Sequence, residues 1–80
     1  MAEWQVSRVT GVFATTDPLY AWVSLEAEDG RWRRIEPRSS DGCSNILKIA
    51  TAAWSNDYDW VQYQLNEARQ IIAIANFLTI

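Results

Sequence analysis

The sequence predicts a β-rich α+β domain: five strands, one helix between the third and fourth, and closure into a small barrel. Three observations carry that expectation. Four stretches alternate apolar and polar residues with the period of a strand, and one stretch repeats with the period of a helix. The final stretch is apolar on both parities, as a covered strand is. Eighty residues leave room for one domain, residues 1–80, and no more.

The first strand runs over residues 3–14, EWQVSRVTGVFA. Trp4 and Val6 share one parity; Val9, Gly11 and Phe13 share the other. A change of parity within a strand marks a bulge or a bend, and Gly11 is the expected kink. Thr16-Asp17-Pro18 reads as a turn. The second strand is 20–27, with Ala21, Val23, Leu25 and Ala27 on one face. Tyr20, Trp22, Ser24 and Glu26 lie on the other. Glu28-Asp29-Gly30 is then a three-residue hairpin loop with Gly30 at positive φ. It leads into a third strand, 31–36, and sets Val23 opposite Ile35 and Trp22 opposite Glu36. Arg33 falls on the inner parity and is expected at a rim, stem packed and head in water.

Residues 37–42 read as a loop. Ile46, Ile49, Ala50, Ala53 and Trp54 then follow the spacing of one helix face over about three turns. Asp41 or Ser44 is the expected cap, and Ser55-Asn56-Asp57 the stop. The fourth strand is 59–65, with Val61, Tyr63 and Leu65 inward and Trp60, Gln62 and Gln64 outward. A turn at 66–69 precedes the last strand, 70–78.

Three strands, a helix and two strands is the order of the oligonucleotide/oligosaccharide-binding (OB) barrel. A bulged first strand serving two neighbours fits it. The rival is an open antiparallel sheet crossed by one helix, and the two differ in whether the first strand pairs twice.

Composition excludes much. The chain has no histidine, so it has no Ser-His-Asp triad, no Cys-His pair and no imidazole metal site. Cys43 is the single cysteine, so the chain closes no disulfide on itself and builds no cysteine zinc cage. Placed near the helix start, its thiol could be acidified by the dipole; the plainer expectation is a small buried residue. Asn56, Asp57 and Asp59 form too sparse a set for a calcium loop. No pair of carboxylates is held at a separation suited to glycosidase chemistry. The expectation is therefore no enzymatic activity, no cofactor and no metal. No run is long and apolar enough for a membrane-spanning helix. A cytoplasmic location is expected, or a secreted one if a leader has been removed.

The outward parity carries the candidate site. Five tryptophans in 80 residues is a high count. Tyr20, Trp22, Trp32 and Trp60 sit on faces that otherwise read polar, with Arg34, Ser24 and Gln62 among their neighbours. Aromatic bodies beside hydrogen-bonding groups suit a sugar, a stacked base or another protein chain. Arg31, Arg33, Arg34 and Arg38 around Trp32 raise the further reading of a single-stranded nucleic-acid binder using Trp22, Trp32 and Arg34. Against it stand Glu26, Glu28, Asp29 and Glu36 on the same hairpin and a net charge of −3. Nucleic acid is thus the less expected partner. A small domain without disulfide or metal also leans on oligomerisation for stability.

The run NILKIATAAWSNDYDWVQYQL, followed by RQIIAIANF, with VSRVTGVFA and YAWVSL upstream, resembles the B subunits of AB-type bacterial toxins of the subtilase-cytotoxin and pertussis-toxin kind. The resemblance covers most of the chain in texture and rests on no signature motif. It implies an OB-fold protein that assembles into a homo-oligomeric ring and binds glycans or another small polar ligand. Two features depart from it: such subunits carry a leader and a disulfide, and this chain displays neither. No glycan-contact residue transfers from the family to a position here.

Overall fold

The computed structural model describes residues 3–17, 19–55 and 60–75. Its elements are β1 (Gln5–Ala14), β2 (Ala21–Leu25), a 3-10 turn (Glu26–Glu28), β3 (Trp32–Arg34), α1 (Ser40–Ser55), β4 (Trp60–Leu65) and β5 (Ile71–Ala75). The protein is a small α+β domain with one five-stranded antiparallel sheet, ordered β3-β2-β1-β4-β5, and one helix.

β1 pairs twice. Its first half, Gln5 to Arg8, lies against β4; its second half, from Val9 to Ala14, lies against β2. The register shifts between Val9 and Gly11, where the kink was expected. The extra residue there turns Val12 toward the interior opposite Val23 and Phe13 outward opposite Trp22. The two edges of the sheet meet at one parallel bridge, Ile35 with Ile71, where the Glu36 amide donates to the Ile71 carbonyl at 2.9 Å. That bridge is isolated, so the sheet is not closed.

The β2–β3 register differs from the expected one by two residues: Trp22 faces Arg34, Val23 faces Arg33 and Ser24 faces Trp32. The connection is longer than a three-residue loop because Glu26–Glu28 coil into a 3-10 turn, followed by Asp29 at φ 59° and Gly30 at φ 72°. A slip of two preserves the side-chain faces, whereas a slip of one would have inverted them.

The helix begins earlier than expected. Ser39, not Asp41 or Ser44, caps it: its Oγ accepts the Gly42 amide at 3.0 Å and its carbonyl the Cys43 amide at 3.1 Å. Its buried stripe is Cys43, Ala50 and Ala53, with Ile46, Leu47 and Ile49 partly covered. Trp54 is exposed rather than packed. Small alanines let α1 lie close against β1. The core is completed by Val9, Val23, Leu25, Ile35, Val61, Tyr63 and Ile71, all essentially inaccessible to solvent. Among the described residues, no helix is long and apolar enough to cross a membrane.

Candidate ligand-binding face

The outward side of β1, β2 and β3 gathers four aromatic rings. Phe13 and Trp22 are cross-strand partners. Tyr20 stands just before β2, ordered by the turn in which the Asp17 carboxylate accepts the Leu19 amide at 2.9 Å. Phe13 meets Tyr20 and Trp32 edge to face at 6.4 Å each, and Tyr20 meets Trp22 at 5.9 Å. Such contacts are favourable geometries for ring quadrupoles. Even so, Phe13 is 48% and Trp32 47% exposed. The rings surround an open depression of about 420 Å³ lined by Phe13, Tyr20, Trp22 and Trp32.

Trp32 owes its position to Gly11. A Cβ built at Gly11 would lie 3.0 Å from the Trp32 ring, so the indole rests on the bare backbone of the bulge. Beneath it, Ser24 is tied to Thr10 by a 2.8 Å hydroxyl contact and donates to the Gly30 carbonyl at 3.1 Å.

The cluster has a cationic border. Arg34 lies 4.9 Å over the Tyr20 ring and donates to the Leu19 carbonyl at 3.2 Å. Its Nε is buried and without a hydrogen-bond partner among the described residues. A second depression, about 280 Å³, shares Trp22 and Trp32 with the first and adds Arg33, Arg34, Ala68, Arg69 and Gln70.

Thus Tyr20, Trp22, Trp32 and Arg34 come together as the sequence implied, while Trp60 stands apart. It is outward on β4, with Arg8 stacked 4.9 Å over its ring, and shares the outward parity of Trp4 and Val6. All three of these apolar side chains are about half exposed, at 51%. Phe13 is the ring that sequence reasoning left out. Its signal was the bulge, which reverses the face of every residue beyond Gly11.

A second polar constellation was also missed. Glu28 is buried, not solvated in a turn. One carboxylate oxygen accepts Tyr63 Oη at 2.7 Å. The other takes Arg33 through Nε at 3.0 Å and Nη2 at 2.9 Å, and Arg69 at 3.2 Å. Arg33 therefore turns in toward a charge partner; the expected water-exposed head is corrected. Burial alone would raise the Glu28 carboxyl, but the Tyr63 hydroxyl and the two guanidiniums outweigh it and hold it below its ordinary range. Burial, and then the neighbouring carboxylate, push the Tyr63 phenol up.

Cys43 is buried, and burial raises its thiol rather than the helix dipole lowering it. Asn56, Asp57 and Asp59 lie outside the described residues. Another depression, about 470 Å³ between the start of α1 and β5, has polar groups already engaged with one another. Glu36 pairs with Arg38 at 3.2 Å and accepts from Asn66 at 2.9 Å. Comparison with protein-family models, with curated proteins and with solved structures found no match for this chain.

Proposed function

We propose that the protein is a non-catalytic binding and assembly module of OB type, whose aromatic sheet face takes up a saccharide ring by stacking. The observation that carries this reading is the Phe13–Tyr20–Trp22–Trp32 cluster around its open depression. Apolar rings held in water are unfavourable for a small domain unless something covers them. The depression falls within the size range of small-ligand sites. Pyranose rings present an apolar face of C–H groups to an indole and polar edges to a guanidinium such as Arg34. The OB assignment is supported by the strand order, the doubly paired β1 and the bridge between β3 and β5.

Self-association is the second half of the reading. Trp60, with Trp4 and Val6, lies outside the ring cluster and offers a separate contact between copies. Assembly into a ring is what the likeness to toxin B subunits implies. Single-stranded nucleic acid is less well served: among the described residues Arg38 binds Glu36, Arg8 covers Trp60, and Arg33, Arg34 and Arg69 line one short cleft rather than a track for successive phosphates.

A glycan array probed with the intact chain, with tryptophan emission followed on titration, tests the saccharide reading. Retention of one glycan class with a change in emission is expected. Silence across the array, or oligo-dT binding that weakens steeply with salt, overturns it. Native mass spectrometry tests assembly: a discrete ring-sized species is expected, and a clean monomer removes that half.

A further inference from the structure

The depression beside the aromatic cluster has a different chemistry from the cluster itself. Two walls are the indoles of Trp22 and Trp32, shared with the saccharide face; the others include Arg33, Arg34 and Arg69. Three guanidiniums stand there against one carboxylate, that of Glu28. The local balance is cationic on a chain whose net charge is −3. Glu28 uses Nε and Nη2 of Arg33 and one Nη of Arg69, so both retain further N–H groups. Arg34 uses one Nη for Leu19, and its buried Nε has no hydrogen-bond partner among the described residues. Arg69 sits at φ 65°, an unfavourable conformation for a side-chain-bearing residue, and keeps most of its side chain in solvent.

We infer that this cleft is an oxyanion subsite, and that the saccharide carries a phosphate or sulfate ester which docks against Arg33, Arg34 and Arg69 while its ring lies on Trp22 and Trp32. A tetrahedral ester presents three terminal oxygens, one for each guanidinium, where a planar carboxylate matches a single fork. The cleft is short, about 280 Å³, and suits one ester group rather than a chain of phosphates. The inference rests on the saccharide reading and adds the charge of the ligand to it.

Matched glycans differing only by a phosphate or a sulfate ester, immobilised on one array and probed with the full chain, test it. The esterified member is expected to bind on the order of tenfold or more tightly than its neutral parent, by charge-assisted hydrogen bonds. The phosphate and sulfate arms identify which ester is preferred. Arg69→Gln and Arg34→Gln should each reduce the ester-to-neutral ratio severalfold, with retained near-ultraviolet dichroism as the check on folding. Equal binding of ester and neutral parent overturns the subsite and leaves the saccharide reading standing. A preference unchanged in both variants moves the ester elsewhere and also overturns it. No binding to any glycan overturns both.

Discussion

The carboxylate of Glu28 and the indole of Trp32 stand close together in sequence, in and just after the β2–β3 connection, with their environments exchanged. A charged group is buried, and a large apolar ring is half in water. Each departs from the ordinary distribution of side chains, but only one departure is compensated within the chain. Both Glu28 oxygens are occupied, by Tyr63 on one side and by Arg33 and Arg69 on the other. A fully partnered buried polar network rigidifies the fold around it. It joins the 3-10 turn, β3, β4 and the β4–β5 turn, so Glu28 itself is structural, while the outer N–H groups of Arg33 and Arg69 still face the cleft. Among the described residues Trp32 has one ring partner, Phe13, with a glycine beneath it, and the ring is 47% exposed. The two regions should therefore separate stability from binding when they are altered.

The sharpest break is Glu28→Ala. It leaves the largely buried Arg33 guanidinium without its partner, a change that costs about 3–5 kcal/mol. That is a large share of the stability of a domain this size. Urea denaturation should find the variant largely unfolded or with its midpoint strongly lowered. The same network sets two pH limbs. The folded carboxyl of Glu28 titrates below the ordinary carboxyl value of 4.5, so its contribution is present above that pH. It is lost as pH falls through the folded pKa. The folded phenol of Tyr63 titrates above 10.0, so stability falls as pH rises past 10.0, where the unfolded phenol ionises first. Midpoints measured across pH should show both limbs in the parent chain, and Glu28→Gln should flatten the acid one. A flat parent profile would mean that the network contributes little.

Trp32→Ala tests the other region. Glycan affinity should fall by about ten- to a hundredfold, the loss of a central aromatic contact. Stability should move by less than about 1 kcal/mol, as for an exposed side chain. If the variant instead loses several kcal/mol of stability while its folded form keeps the parent's glycan affinity, the cluster is a cover for the core and the comparison collapses.

What was legible in the sequence follows the same division. Outward placement of Tyr20, Trp22, Trp32 and Arg34 follows from period-two alternation, and alternation survives a register slip of two. Even with the wrong partners assigned across the hairpin, the face was right. Glu28 was not legible, because its burial depends on a 3-10 turn and on Asp29 adopting a left-handed conformation. Periodicity says nothing about such a turn. The one clue was Arg33, a cation on an inward parity, which implies a buried acid somewhere in the fold. The helix start was hidden for a related reason. Ser39 to Gly42 carry no apolar residue, and the cap is recognised by the Ser39–Gly42 hydrogen bond rather than by pattern.

The finest test lies at the join between backbone and site, at Gly11. Gly11→Ala places a methyl 3.0 Å from the Trp32 ring, tighter than ordinary packing permits. Two effects then oppose each other. Alanine lowers the entropy of the unfolded chain and favours a strand, by about 0.5–1 kcal/mol. The indole must shift outward, which weakens its edge-to-face contact with Phe13 by a similar amount. Stability should change by less than about 1 kcal/mol, in either direction. Glycan binding and tryptophan near-ultraviolet dichroism respond to the ring position alone, so both should change while the urea midpoint barely moves. A variant that keeps the parent's dichroism and affinity would show that Trp32 is not seated on the bulge, and the site would then owe nothing to the kink that turns β1 from one neighbour to the other.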